Sequence, residues 1–267
     1  MQGQQPLAVI PVILTLDEAP NIARVLSRLH WAKEVLVVDS GSLDGTRDIA
    51  RSFDNVRVIE HPFENFESQW NFAIEQARAR SPWILALDAD YVLGDEFIDA
   101  VTALRDPPPA DAFRASFRYC VLGRLLRGSL YPAKVVLFHA DKAKYVQRGH
   151  TQVLQVNGRE ASLAGEILHD DRKSQSRWLR SQVRYAREEA AMIDDAPWQQ
   201  LPWSARLRRL LIVAAPAAFV LSMFWRGGIL DGWPGLFYAM QRCIAELLIA
   251  MALIERRIAV VRTRDPR

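Results

Sequence analysis

Two acids stand where an apolar run ends: residues 83 to 91 read Trp-Ile-Leu-Ala-Leu-Asp-Ala-Asp-Tyr. A short continuous apolar stretch fits a strand buried on both faces of a parallel sheet. Asp88 and Asp90 then fall at its carboxyl end, the edge where open α/β sheets bind ligands. Alternate residues of a regular strand point the same way, so the spacing predicts that both carboxylates face one hard divalent cation and its phosphate partner. Asp-Xaa-Asp alone is as readily a solvated strand end, so the chemistry turns on the elements around it.

Those elements alternate. Leu7 to Leu14 predicts a first strand, followed by the exit loop Thr15-Leu16-Asp17-Glu18 and a helix opened by Pro20 and Asn21. Glu34 to Asp39 is a second strand that also ends on an acid. Its loop, Ser40-Gly41-Ser42-Leu43-Asp44-Gly45-Thr46, leads into a helix from Arg47 to Phe53. Val56 to Ile59 is a third strand, and Glu67 to Arg80 is the helix that returns the chain to Trp83. Strands alternating with helices predict a mostly parallel sheet with right-handed crossovers. Beyond the Pro107-Pro108-Pro109 link, Ala112 to Tyr119, Lys134 to His139, Thr151 to Val156 and Ser162 to Leu168 are strand-like. Asn157-Gly158 reads as a hairpin turn between the last two.

The 267 residues are 50% hydrophobic and 24% charged, enough for one sizeable core and an appendage. Residues 1–171 carry 18 basic and 23 acidic side chains, and 172–267 carry 16 and 8. An acidic half followed by a basic, apolar one suits a metal site joined to an anionic membrane surface; nucleic acid is not expected, because basic and stacking residues are not interleaved. Cys120 and Cys243 lie far apart and imply neither a disulfide framework nor a thiolate metal site. Met1 to Pro6 has no basic residue, and no signal peptide is expected.

The stretch Val37-Val38-Asp39-Ser40-Gly41-Ser42-Leu43-Asp44-Gly45-Thr46, followed by Leu87-Asp88-Ala89-Asp90, resembles family-2 inverting glycosyltransferases of the GT-A fold. Within that group, residues 66–73 (Phe-Glu-Ser-Gln-Trp-Asn-Phe-Ala) and Tyr131-Pro132 resemble the bacterial lipopolysaccharide core glucosyltransferases. The resemblance covers roughly the first 170 residues, a length that suits one domain. It implies that Asp39 faces the uracil or ribose of a nucleotide sugar, with Glu18 in the same pocket and Gln69 and Asn71 as polar contacts. Asp88 would hold the ribose or assist the metal, and Asp90 would ligate Mg²⁺ or Mn²⁺ with the diphosphate oxygens. Where the family usually carries Asn before the first-loop Glu, this chain has Asp17.

An inverting transfer to a hydroxyl needs a group that takes the acceptor's proton. The core glucosyltransferases place a His-Glu pair there, whereas this chain reads His150-Thr151-Gln152 and lacks that Glu. His150 is the first candidate base. Asp170, in the cluster His169-Asp170-Asp171, is the second. Arg114, Arg118, Arg124, Arg127, Lys134 and Arg148 are candidates for holding a diphosphate or an anionic acceptor, and no more than two are expected to matter.

From Ser174 to Ile193 the pattern is helical, with an apolar stripe and a second stripe of Arg177, Arg180, Arg184 and Arg187 suited to lipid head groups. Leu210 to Trp225 is uncharged and interrupted by Pro216. A second apolar helix, Leu236 to Ile254, carries Arg242 and Glu246 one turn apart. The predicted layout is a GT-A nucleotide-sugar domain over 1–172, a basic amphipathic helix and linker over 173–202, and an apolar, membrane-associating helical pair over 203–267. The implied activity is metal-dependent, inverting hexosyl transfer from a nucleotide diphosphate sugar, UDP-hexose above others, to a lipid-linked or surface-polysaccharide acceptor. The expected location is the cytoplasmic face of the inner membrane, peripheral or monotopic. Two rivals are a polyprenyl-phosphate glycosyltransferase and a non-catalytic, nucleotide-binding membrane adaptor. A dinucleotide-binding dehydrogenase is disfavoured, since the loop after the first strand lacks Gly-Xaa-Gly-Xaa-Xaa-Gly.

Overall fold

The computed structural model describes residues 5–128, 130–148 and 151–264. Two compact units divide the chain. One holds the residues up to Gly123 together with Tyr131–Arg172, and the other holds Arg124–Leu130 and the chain from Lys173 onward.

In the first unit β1 (Val9–Thr15), β2 (Val35–Asp39), β3 (Val56–Glu60) and β4 (Trp83–Asp88) alternate with α1 (Ile22–Leu26), α2 (Thr46–Arg51) and α3 (Phe66–Arg78). The strands pair in parallel in the order β3-β2-β1-β4. Successive strand residues enter opposite layers. Val12, Leu36, Val38, Ile84 and Ala86 pack with Trp70, Ala73 and Ile74 of α3. Their neighbours Ile13, Val35, Val37, Leu85 and Leu87 pack with Ile22, Val25 and Leu26 of α1. Burial on both faces is why these strands read as unbroken apolar runs.

Past β4 the sheet is mixed. After a two-residue turn come β5 (Tyr91–Leu93), α4 (Asp95–Thr102) and β6 (Ala112–Val121); β7 (Arg124–Leu125) lies in the second unit. β8 (Lys134–His139) runs antiparallel to β4 and to β6. β9 (Ala143–Arg148) and β10 (Thr151–Val156) form a separate antiparallel ribbon, while β11 (Glu160–His169) runs parallel to β6 and antiparallel to β5. The hairpin expected at Asn157-Gly158 is therefore not one: β10 pairs with β9, and Asn157-Gly158 carries the chain from the ribbon to the main sheet. Glycine is required there because a Cβ at 158 would come within 2.6 Å of the Asp111 carboxylate, which accepts from the Arg159 amide at 2.8 Å.

The second unit is helical: α5 (Gln175–Asp195), α6 (Trp203–Arg209), α7 (Ala214–Val220), a π-helical turn Leu221–Trp225, and α8 (Trp233–Arg264). Ala186, Ala190 and Ile193 of α5 pack with Ala205 of α6 and with Ile249, Ala252 and Leu253 of α8. The interruption expected at Pro216 occurs at Leu211, whose φ is +67°. Since α7 starts at Ala214, Pro216 falls in its first turn, where a missing N–H is harmless. The Arg242–Glu246 pair is also corrected. Glu246 accepts from Arg208 Nε and Nη2, each at 2.8 Å, and Arg208 Nη1 donates to Glu189 at 2.8 Å. Both carboxylates are buried and share one guanidinium. Arg208→Met removes the guanidinium that both buried carboxylates share, a loss of about 3–5 kcal/mol. Urea unfolding of the full chain in detergent checks it, and a change below about 1 kcal/mol contradicts the pairing.

Candidate active site

The β2 exit loop is built on a buried charge. Asp39 has no exposed surface. One carboxylate oxygen accepts from the amides of Gly41 and Ser42 at 3.0 and 2.8 Å, the other from the hydroxyls of Thr15 and Ser42 at 2.7 and 2.5 Å. Arg47 stands 3.8 Å off. The expected contact with uracil or ribose would have to displace one of these donors, so in this structure Asp39 is the fastening of its own loop. That loop laces to the β1 exit loop: the Asp17 amide donates to Ser42 Oγ at 2.7 Å, Leu43 donates to the Asp17 carboxylate at 2.8 Å, and the Glu18 amide donates to Thr46 Oγ1 at 2.7 Å. Asp17 has φ +53°, a left-handed conformation that Asp and Asn tolerate better than most residues.

Gln69 and Asn71 are likewise engaged by the protein. Gln69, fully buried, bonds His61 Nδ1 at 2.8 Å and donates to Ser40 Oγ and the His61 carbonyl. Asn71 pairs with the backbone of Tyr145 at 3.0 and 3.1 Å. Their part is to hold the loop and the β9 ribbon against α3.

At the carboxyl end of β4 the two acids do not share a strand. Asp88 closes β4, and Asp90 sits in the turn before β5, which replaces the alternate-residue geometry predicted from the spacing. Asp90 is set by the neighbouring strand end. Its carbonyl accepts from the Asp170 amide at 3.0 Å, and its carboxylate lies 3.1 Å from His169 Nε2. Burial works against the His169 imidazolium. The Asp90 carboxylate, by charge and hydrogen bond, and Asp88 beyond it nevertheless carry the His169 pKa above the ordinary histidine value, with Lys134 opposing. Tyr91 and Tyr131 complete the cluster, their rings packed on His169 and their hydroxyls bonded to each other. Burial, with the nearby Asp88 charge, pushes both phenols above the ordinary tyrosine range, so both stay neutral.

Behind this edge lies a clamp centred on Asn21, which the sequence presents only as a helix start. Asn21, fully buried, donates from Nδ2 to the carboxylates of Glu18 and Asp171, each at 2.9 Å. Its carbonyl oxygen accepts from Arg24 at 2.8 Å and from the Arg172 amide at 2.9 Å. Arg24 donates to the Asp170 carboxylate at 2.6 Å, and Arg172 donates to the same group at 2.7 to 2.9 Å. Asp170, the second candidate base, has its carboxylate engaged by these two guanidinium groups in this structure. His150, the first, lies outside the described residues, as does the side chain of Arg148.

Among the described residues no three His, Cys, Asp or Glu side chains form a ready-made metal cage. Mg²⁺ characteristically takes one or two carboxylates and completes its shell with waters and substrate phosphates. Asp88 and Asp90 fit that donor set, provided a diphosphate arrives with the ion.

The sequence profile of glycosyl transferase family 2 matches residues 12–152, more than half of the chain, from within β1 to the start of β10. The chain belongs to this family. Over 260 residues, 91% of each chain, it is 23% identical to the lipopolysaccharide core biosynthesis glycosyltransferase LpsC of Rhizobium meliloti (strain 1021). An uncharacterized glycosyltransferase of Rickettsia bellii (strain RML369-C) is 37% identical over 90 residues, 33% of this chain and 30% of its own. Among solved structures, S. aureus TarS 1-349 aligns over 95% of this chain and 92% of its own, with TM-score 0.48 and 14% identity. Glucosyl-3-phosphoglycerate synthase from Mycobacterium tuberculosis aligns over 72% of this chain and 80% of its own, with TM-score 0.47 and 16% identity. The family-2 chain has a GT-A-like α/β fold with a mixed sheet, flanking helices and a long C-terminal apolar helix.

Because Asp39 fastens a loop from inside the core, Asp39→Ala strands buried donors of Thr15, Gly41 and Ser42. It should lower folding stability by at least about 2 kcal/mol in urea titration. A residue that only touches nucleotide would lose donor affinity with stability unchanged.

Proposed function

We propose that this family-2 glycosyltransferase is a metal-dependent, inverting hexosyltransferase that takes a hexose from a nucleotide diphosphate sugar, UDP-hexose first, and places it on a lipid-linked or lipopolysaccharide-core-like glycan. The carrying observation is the pair Asp88 and Asp90 at the carboxyl edge of β4, with Asp90 fixed by His169 and by the Asp170 amide. The likeness to LpsC along 91% of both chains supports the acceptor class. In the proposed step the acceptor oxygen attacks the anomeric carbon opposite the diphosphate, the bond to the phosphate oxygen breaks, and the acceptor proton leaves to a base. A bound Mg²⁺ or Mn²⁺ would supply charge neutralisation to the departing diphosphate. Asp90 and Asp88 would hold it; Glu18 and the loop that Asp39 fastens would border the nucleoside. His150 is the proposed base.

One observation favours a second reading. With Asp170 locked between two guanidinium groups, a polyprenyl phosphate acceptor, which arrives already ionised and needs no base, becomes the nearest alternative. Formation of a sugar-phosphate-lipid in place of a glycosidically linked glycolipid distinguishes it. The third reading, a nucleotide-binding adaptor, requires that donor sugar is neither transferred nor hydrolysed.

We further propose that the second unit lies in the cytoplasmic leaflet of the inner membrane without crossing it. Trp203, Ile212, Trp225, Leu230 and Trp233 are each at least 69% exposed, an apolar and aromatic set suited to a lipid interface, with Arg206, Arg209 and Arg226 nearby in sequence. Trp233–Ala259 is long and apolar enough to span, but a buried Glu246 bonded to Arg208 commits its middle to protein contacts.

Two outcomes test these readings. Asp90→Ala should reduce metal-dependent transfer by at least about 10²-fold while the unfolding curve keeps its shape; near-normal turnover with the metal still required contradicts the site. Trp225→Glu combined with Trp233→Glu should weaken co-sedimentation with phosphatidylglycerol vesicles by about tenfold or more. Unchanged sedimentation, or a wild-type chain that stays monodisperse without detergent, contradicts the membrane reading.

A further inference from the structure

The cations that the sequence offers to an anionic ligand are sorted by their partners. Arg114 is bonded to Glu160 at 2.7 Å and Arg118 lies 3.7 Å from Glu166. Arg124 and Arg127 belong to the second unit. Lys134 differs from all of these. It opens β8, the strand beside β4, and is half-buried, yet among the described residues no carboxylate stands within ion-pair distance of its ammonium. Two phenols hold it: Lys134 Nζ donates to Tyr131 Oη at 2.6 Å and to Tyr91 Oη at 3.2 Å, and lies 4.4 Å from the Tyr131 ring centroid.

Neither phenol can cancel the charge, since a tyrosine hydroxyl is a neutral group at pH 7. The ammonium is also part of the acid cluster, because the two tyrosines that hold it pack their rings on His169, the partner of Asp90. Hydrogen-bond counting adds a second point. An ammonium has three donors, and two are given to Tyr131 and Tyr91, so one N–H remains for an oxygen from outside. A cation beside two carboxylates would ordinarily collapse onto one of them. Here the tyrosines hold it off, placing the ammonium and a spare donor at the edge where the family-2 fold presents Asp88 and Asp90.

We propose that Lys134 is a built-in cation for the donor's diphosphate, binding a phosphate oxygen directly and independently of the divalent ion. The inference rests on the nucleotide diphosphate reading above and adds to it which side chain recognises the phosphates. Tyr91 and Tyr131 are its positioning residues. An ammonium fixed in this way makes the site prefer a nucleoside diphosphate over the bare nucleoside even when no metal is present.

The test is calorimetric binding of UDP and of uridine to the full-length protein in detergent, in EDTA and again with Mn²⁺. In EDTA the wild type should bind UDP about tenfold or more tightly than uridine, as a hydrogen bond from a charged group warrants. Lys134→Met should bring that preference close to one while leaving uridine affinity unchanged, and Lys134→Arg should keep most of it. Tyr131→Phe, which keeps the charge and removes its shorter hydrogen bond, should reduce the preference without abolishing it; it serves as the second variant if Lys134→Met does not fold. A UDP-to-uridine preference that survives Lys134→Met, or one that falls in EDTA to no preference in the wild type, overturns the proposal while leaving the donor reading intact if UDP binds with Mn²⁺. Failure of the wild type to bind UDP even with Mn²⁺ removes the donor reading and this inference together.

Discussion

An ionised carboxylate with no solvent contact must be surrounded by donors, and Asp39 meets that constraint with four hydrogen bonds. The organisation of the site runs outward from it. Ser42 donates to Asp39 and accepts from Asp17, which ties the second loop to the first; Thr46 receives the Glu18 amide. The Glu18 carboxylate takes one hydrogen of Asn21, Asn21 takes Arg24, Arg24 takes Asp170, and the Asp170 amide reaches the Asp90 carbonyl. A nearly continuous polar network thus joins the β2 loop to the Asp90 turn, and most of its members are buried or half-buried. Such networks are rigid when complete and weak when broken, because each member leaves its neighbours unsatisfied. It gives the acid edge a fixed frame before any ligand arrives.

What the sequence revealed follows from the range of each signal. The buried parallel strands were legible because burial on both faces writes an unbroken apolar run, and strand ends placed Asp39 and Asp88 at the ligand edge. The loop motif identified the family because its residues are local: Asp39, Ser42, Asp44 and Thr46 bond within a few positions of one another. Where partners were distant, the sequence did not show them. Asp170 looked like an available carboxylate until Arg24, 146 positions away, was found bonded to it. Asn21 looked like a helix start because nothing local marks it as the meeting point of Glu18, Asp171 and Arg172. Asn157-Gly158 has the chemistry of a hairpin turn, but β10 found its partner in β9. A strong local turn signal cannot say which strand lies alongside.

The helical unit shows the same limit with charges. Composition made the last third of the chain apolar and basic, which is a sound guide to surface character. It could not assign Arg208 to Glu246 and Glu189, which stand 38 and 19 positions away. That shared guanidinium turns an expensive mid-helix acid into part of a packed core. The same helix keeps one face for contacts with α5 and α6, and Met240, Leu247, Met251 and Ile254 remain exposed along it. One sequence stripe therefore serves two environments, and hydropathy alone averages them.

In the proposed function the acid edge of β4, fixed from the Asp39 loop, would hold the donor diphosphate together with a divalent ion. Crystals grown with Mn²⁺ and UDP, measured near the manganese absorption edge, address it directly. The account predicts an anomalous peak within coordination distance of an Asp90 carboxylate oxygen and of the diphosphate, with the Asp39 hydrogen bonds to Gly41 and Ser42 unbroken. A manganese–diphosphate pair bound away from Asp88 and Asp90, or an Asp39 loop rebuilt around the nucleotide, would contradict it.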